Sequence, residues 1–151
     1  MNVNICAMVL MGTLGITPQC YAEASTEKTS IAEVKQETQD LLQTLEAYTS
    51  DQKDKAIRRT KAAVDKLDKR IDALEARVDE RWEKMDKNAR KKARDSLKAL
   101  RQQRNQVAEW YGRLKGSTEN AWEHMKEGFS DAYKELNDAW EKSENDFGSN
   151  Q

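Results

Sequence analysis

After position 22 the chain contains neither cysteine nor proline, and the two absences exclude several kinds of protein. Without a thiol beyond Cys20, that stretch can form no disulfide, no thiolate metal site and no cysteine nucleophile. Without proline, and with few Val, Ile or Thr, nothing in it breaks a helix or favours a sheet. Histidine is almost missing as well, since His124 is the single one. In "EHMKE" it sits one turn from Glu127, a pairing able to hold a metal, but a di-metal bundle needs two such helices and the second histidine does not exist. A surface role is expected for His124. Glycine-rich phosphate loops are lacking too, because Gly112, Gly116 and Gly128 fall in helical or helix-end settings. No serine stands in a recognisable nucleophile context. The expectation is a non-enzymatic protein with no catalytic residue, no cofactor and no metal.

Neither sign of charge prevails: 26 Lys and Arg face 27 Asp and Glu among 151 residues. No global field draws the chain to nucleic acid, which is not expected as a partner. What is abundant is charge itself, at 35% of residues against 37% hydrophobic ones. That balance suits one unit of long, solvated helices.

The first 22 residues, "MNVNICAMVLMGTLGITPQCYA", carry no charged side chain. The apolar run from Val3 to Ile16 is shorter than the ~20 residues of a membrane span, and Cys20-Tyr21-Ala22 offers small residues to a signal peptidase. Residues 1–22 therefore read as a cleaved export signal, with an uncleaved anchor as the alternative. Thr17-Pro18-Gln19 before Cys20 does not make a lipobox, so lipidation is not expected. The mature chain would be periplasmic or associated with the cell envelope.

From Ser30 the pattern turns helical. Ser30 and Glu33 fit a capping box, and Ile31, Val34, Thr38, Leu41 or Leu42, Leu45 and Tyr48 form an amphipathic stripe. Thr49 with Gln52 offers a second capping box, although a continuous helix fits equally. Ile57, Thr60, Val64, Leu67, Ile71, Leu74 and Val78 alternate three- and four-residue steps, as in a heptad seam. After Val78 the seam continues as Trp82, Met85, Ala89, Ala93 and Leu97, where repeated four-residue steps and small side chains shift the phase, so a reversal is expected near Lys87-Asn88. Leu97, Leu100, Val107, Tyr111 and Leu114 restore the pattern, with Arg104 at a seam position. Lys115-Gly116-Ser117 then reads as a stop with a left-handed glycine, and a last helix from 117 or 118. The resulting organisation is a signal at 1–22, an N-terminal amphipathic helix within 23–50, a helical coiled-coil bundle over 51–146 and a tail at 147–151. The fold class is all-α, with long antiparallel helices in a coiled-coil-like hairpin or three-helix bundle.

Residues 84–104 hold nine Lys or Arg against Asp86 and Asp95, while 116–146 hold nine acidic residues against Lys126, Lys134 and Lys142. Joined by a short turn, these helices are expected to be antiparallel neighbours with complementary flanks. A hairpin also predicts that Trp82 meets Trp140 at one end, and that Trp110, Tyr111 and Trp122 meet at the other. Along the last helix Trp122, Met125, Phe129, Tyr133, Leu136 and Trp140 recur at about 3.6-residue spacing. Such a stripe is usually core. The alternative makes Trp122, Phe129, Tyr133 and Trp140 a partner-binding or lipid-facing surface. Arg90, Lys91, Lys92, Arg94 and Lys98 form a candidate basic surface for anionic lipids or polymers.

The segment from "YTSDQKDKA" to "GSTENAWEHMKEGFSDAYKELNDAW" resembles small exported coiled-coil proteins found widely in Gram-negative bacteria. The matching positions are Ala121, Trp122, Lys126, Gly128, Phe129, Ala132, Leu136 and Ala139, and the likeness covers most of residues 47–143. It departs at Met125, where that family usually has Leu, and in the more basic stretch 84–104. A fainter likeness to apolipoprotein-type helices rests on amphipathicity alone. The resemblance implies an exported helical architecture and no catalytic role. A scaffold or partner-binding module is the expected function, with self-association through the 57–78 seam or peripheral membrane contact as its possible interactions.

Overall fold

A computed structural model describes residues 30–148, and every regular element in that range is helical. Helix α1 (Ile31–Ala47) ends in an extended pair, Tyr48 and Thr49, followed by one 3-10 turn at Ser50–Gln52. Helix α2 (Lys53–Arg81) has 29 residues and α3 (Lys87–Gly116) has 30, which makes each about 45 Å long at ~1.5 Å per residue. A turn at Trp82–Lys84 and an extended Met85 join them. Helix α4 (Trp122–Ser143) runs into a wide final turn at Glu144–Gly148.

Local chemistry explains most of these ends. The Ser30 hydroxyl accepts from the Glu33 amide at 3.2 Å, which starts α1. Asp86 does the same for α3, accepting from the Ala89 amide at 2.8 Å. The reversal expected at Lys87-Asn88 therefore lies just upstream, where Met85 and Asp86 are extended. Two other expectations are corrected. Helix α3 stops because Ser117 is extended, so Gly116 stays helical and needs no left-handed conformation. Helix α4 starts at Trp122, four or five residues later than its Ser/Thr signal, after two overlapping turns donated by Ala121 to Thr118 and Trp122 to Glu119.

The helices run alternately up and down, and each packs on its chain neighbours, with α4 closing the ring against α1. Arg101 reaches Glu75 at 2.8 Å and Arg104 reaches Asp68 at 2.7 Å, which sets α2 and α3 antiparallel. Lys35 meets Glu141 at 3.6 Å while Lys126 reaches the Tyr48 carbonyl at 2.8 Å, which does the same for α1 and α4. Among the described residues the bundle has four helices, not three, because α1 shares one core with the rest. The expected tail is also shorter: Phe147 packs against that core and its carbonyl accepts from Arg81 at 3.1 Å. The predicted export signal and residues 149–151 lie outside the described range.

Of the 57–78 seam, Thr60, Leu67, Ile71, Leu74 and Val78 are fully buried, while Ile57 and Val64 are half-buried. Leu100, Val107 and Leu114 of α3 close on them. Arg104, at its seam position, stays half-exposed and bridges to α2 through Asp68. Helices α3 and α4 make the most extensive contact, and a small residue permits it. A β-carbon at Gly128 would lie well inside van der Waals contact of the Trp110 six-membered ring, 2.6 Å from Cε3.

Two outcomes follow from this packing. Gly128→Ala should lower stability in the wild-type background by about 1–3 kcal/mol, as overpacking does. In a Trp110→Ala background the same change should stabilise by about 0.5–1 kcal/mol, the ordinary helix preference of Ala over Gly. Urea titration of the four proteins gives the sign. Burial pushes the Tyr133 phenol up to about 12, so the folded state keeps that proton longer than the unfolded chain. Its stabilising effect is intact below pH ~10 and is lost as pH rises towards ~12, by roughly 2–3 kcal/mol. Tyr133→Phe should lack that part of the alkaline loss in paired urea titrations.

Candidate functional site

The aromatic row of α4 is internal. Trp122, Phe129, Tyr133 and Trp140 are 1%, 0%, 4% and 2% exposed, so the partner- or lipid-facing reading of these four residues is corrected to core. Phe129 and Tyr133 stack with centroids 5.7 Å apart. The Trp122 indole donates to the Tyr48 carbonyl at 3.0 Å, and Tyr133 Oη points to the Ala63 carbonyl at 3.5 Å. The Trp140 indole N–H finds no acceptor among the described residues. Three polar side chains lie on the same buried face. Lys126 donates to the Glu46 and Tyr48 carbonyls at 3.0 and 2.8 Å, capping the end of α1, and Asn137 accepts from Thr38 at 3.1 Å. Ser143 bonds within its own helix to Ala139 at 2.9 Å. Lys126 stands four residues from Trp122 and three from Phe129, so its place in the stripe was the available signal.

The expected charge pairing of α3 with α4 is not how these helices hold together. Among the described residues no ion pair joins them. The cations of α3 turn to α2, through Glu75 and Asp68, while Glu141 of α4 takes Lys35 of α1 and Glu144 of the final turn takes Arg77 of α2. The reason is geometric: α3 and α4 meet through Trp110, Gly128 and the aliphatic seam, and that contact leaves their charged flanks apart. A second anionic group holds α1 to α2. Burial acts to raise the Glu37 carboxyl, but hydrogen bonds from Lys66 and Arg70 outweigh it and hold the group below its usual range.

Trp82 does not join Trp140 in the core. It lies outside the buried cluster, half-exposed at the end of α2, with the Arg90 and Arg94 guanidinium groups 5.6 and 5.3 Å from its ring centroid. The Arg90 Nε also donates to the Trp82 carbonyl at 2.9 Å, fixing the turn beside the indole. Trp110, Tyr111 and Trp122 do border one cluster at the opposite end, with His124 exposed and edge-on to Trp110.

Beside Trp82, an open groove of about 540 Å³ runs between α2 and α3. Val78, Leu97 and the indole provide its apolar lining, Arg94, Lys98 and Arg101 its cations, and Asp79 its one acidic group. The predicted basic residues therefore divide. Arg94 and Lys98 line this groove, Lys91 and Lys92 are exposed on the same end of α3, and Arg90 is half-buried under the turn. Lys91 is neutralised by Asp95 at 2.9 Å, and Arg90 comes within 3.9 Å of Glu83. Lys92, Arg94 and Lys98 have no ion pair among the described residues. The arrangement can hold an anionic group against an apolar floor. A reacting pair of side chains is not part of it.

Trp140→Ala should cost about 3–5 kcal/mol of stability, the usual result of emptying a buried aromatic site. Trp82→Ala should cost less than about 1 kcal/mol. Thermal melts followed by circular dichroism separate the two residues. No family model, curated protein or solved structure matches this chain.

Proposed function

We propose that this is an exported, non-enzymatic helical protein that works in the periplasm or at the cell envelope as a scaffold or partner-binding module. The observation that carries the reading is the division of the aromatic residues. Helix α4 keeps its aromatic row in the core, and the α2–α3 groove is left as a place where exposed apolar surface meets unneutralised cations. A rigid bundle with such a groove acts by holding something against itself. The charge-free residues 1–22 and the resemblance to small exported coiled-coil proteins support the location.

Peripheral association with lipid is the second reading, and Trp82 with two guanidinium groups over its ring favours it. Among the described residues no helix is long and apolar enough to cross a membrane, so this contact would lie at the surface.

Two measurements in cells test the proposal. Mass spectrometry of the protein recovered from a periplasmic fraction should show a chain beginning after Ala22. A photo-cross-linking residue at Lys98 should give adducts that the same residue at Glu135 does not. Full-length protein confined to the cytosol overturns the location, and cross-links from Glu135 but not from Lys98 overturn the assignment of the working surface.

A further inference from the structure

We infer that the α2–α3 end of the bundle docks on an anionic phospholipid surface, with Trp82 entering the headgroup layer and the first half of α3 lying along it. This rests on the reading of the α2–α3 groove as the working surface and names what it meets.

The first ground is the order of the cations. Lys87, Lys91, Arg94 and Lys98 follow one another at steps of four, three and four, which places them in one stripe on α3 about 16 Å long. Lys87, Arg94 and Lys98 have no ion pair among the described residues. Of the acidic residues of the same end, Asp86 caps α3, Asp95 holds Lys91 and Glu144 holds Arg77 at 2.5 Å, while Asp79, Glu80 and Asp146 have no ion pair among the described residues. A row of cations, three of the four without an ion pair among the described residues, is what a plane of phosphates attracts.

The second ground is the aromatic group beside that stripe. Trp82 is half-exposed, and the groove next to it takes its apolar surface from half-buried Leu97, with fully buried Val78 beneath. Indoles favour the zone between headgroups and acyl chains, where the ring is in an apolar layer and its edge remains wet. The Arg94 guanidinium over the ring places charge and aromatic at the same depth.

The third ground is where the chain enters the bundle. Helix α1 begins at the same end, because Lys35 lies against Glu141 near the finish of α4, and α2 finishes there with Arg81 at Phe147. The 29 residues before Ser30, whose first 22 carry no charge, therefore precede the bundle at the end that also carries Trp82. If that segment stays in a bilayer it delivers this end to the surface, and if it is removed the stripe is left to make the contact alone. Across the ring, the α1–α4 edge is the opposite side of the molecule.

A second copy of the chain is the competing occupant. Glu127, Asp131, Glu135 and Asp138 of α4 form an acidic stripe spanning the same interval as Lys87 to Lys98. Those exposed carboxylates would match the cations, but the stripe brings no apolar side chain to fill the groove at Trp82, Val78 and Leu97.

The test uses the full chain with vesicles of phosphatidylglycerol mixed into phosphatidylcholine, vesicles of phosphatidylcholine alone, and soluble poly-glutamate. At low ionic strength the mixed vesicles should bind at least tenfold more tightly than the neutral ones, with a blue shift of tryptophan emission that Trp82→Phe abolishes. Each cation near an anionic bilayer contributes about a fivefold factor, so Arg94→Gln with Lys98→Gln should weaken partitioning ~25-fold. Both positions are exposed, and unchanged circular dichroism melts confirm that the variants fold. The inference is overturned if mixed vesicles do not bind, if the double variant binds as wild type does, or if poly-glutamate binds equally well with no shift assigned to Trp82. It is overturned as well if sedimentation shows a salt-sensitive dimer that excludes vesicles. Failed vesicle binding with persistent cross-links from Lys98 removes the lipid and leaves the partner-binding reading; loss of both removes both.

Discussion

Everything else in this bundle depends on α4 burying one whole face. Trp122, Phe129, Tyr133, Leu136 and Trp140 are each at most 4% exposed, and they provide the bulk around which shorter side chains from the other three helices close. Burying an aromatic side chain removes about 150–250 Å² from water, so this face outweighs any set of surface ion pairs. It also fixes geometry. Trp110 reaches α4 because position 128 is Gly, and the near approach of α3 at that level holds the two helices antiparallel.

The α1 side of α4 obeys a different rule. Here the contact is mixed, with Thr38 bonded to Asn137, the Lys126 ammonium on two carbonyls at the end of α1, and the Trp122 indole on one of them. Buried polar groups must find partners, and each of these specifies one position of α1 along α4. The carbonyls at the end of a helix lack intrahelical donors, and a lysine from a neighbouring helix supplies one. The short α1 is thereby set in register by polar groups, whereas α3 is set by shape.

With the apolar face inside, the exterior is left to charge, and the exterior divides unevenly. Near the middle of the bundle the cations of α3 face carboxylates of α2, and neutralisation is local. Towards the α2–α3 turn Asp86 and Asp95 are engaged in capping and local pairing, and lysines and arginines outnumber the acidic groups. Trp82 stands at that place because the turn at Trp82–Lys84 carries it out of the seam that Val78 still occupies. A residue only four positions beyond a fully buried one is thus presented to solvent beside two guanidinium groups.

Much of this was legible in the amino-acid sequence because helix periodicity is a local property. The absence of proline and the three/four spacing from Ile57 to Val78 determined long helices and named most of their buried positions, and the spacing of Trp122, Phe129, Tyr133 and Trp140 determined that they share a face. What that face meets is not local. Only the tertiary structure decided that α1 is a fourth member of the core, that the α3 cations pair with α2, and that Trp82 and Trp140 are apart. Charge totals give the sign of a helix, but ion pairs form only between flanks that packing brings within about 4 Å. The end of α3 at Gly116 was not legible for a similar reason: a glycine permits a left-handed stop without requiring one, and the extended Ser117 ends the helix instead. The sequence determines which residues prefer to be inside, and the assembled bundle decides which of the remaining charges are left without a partner.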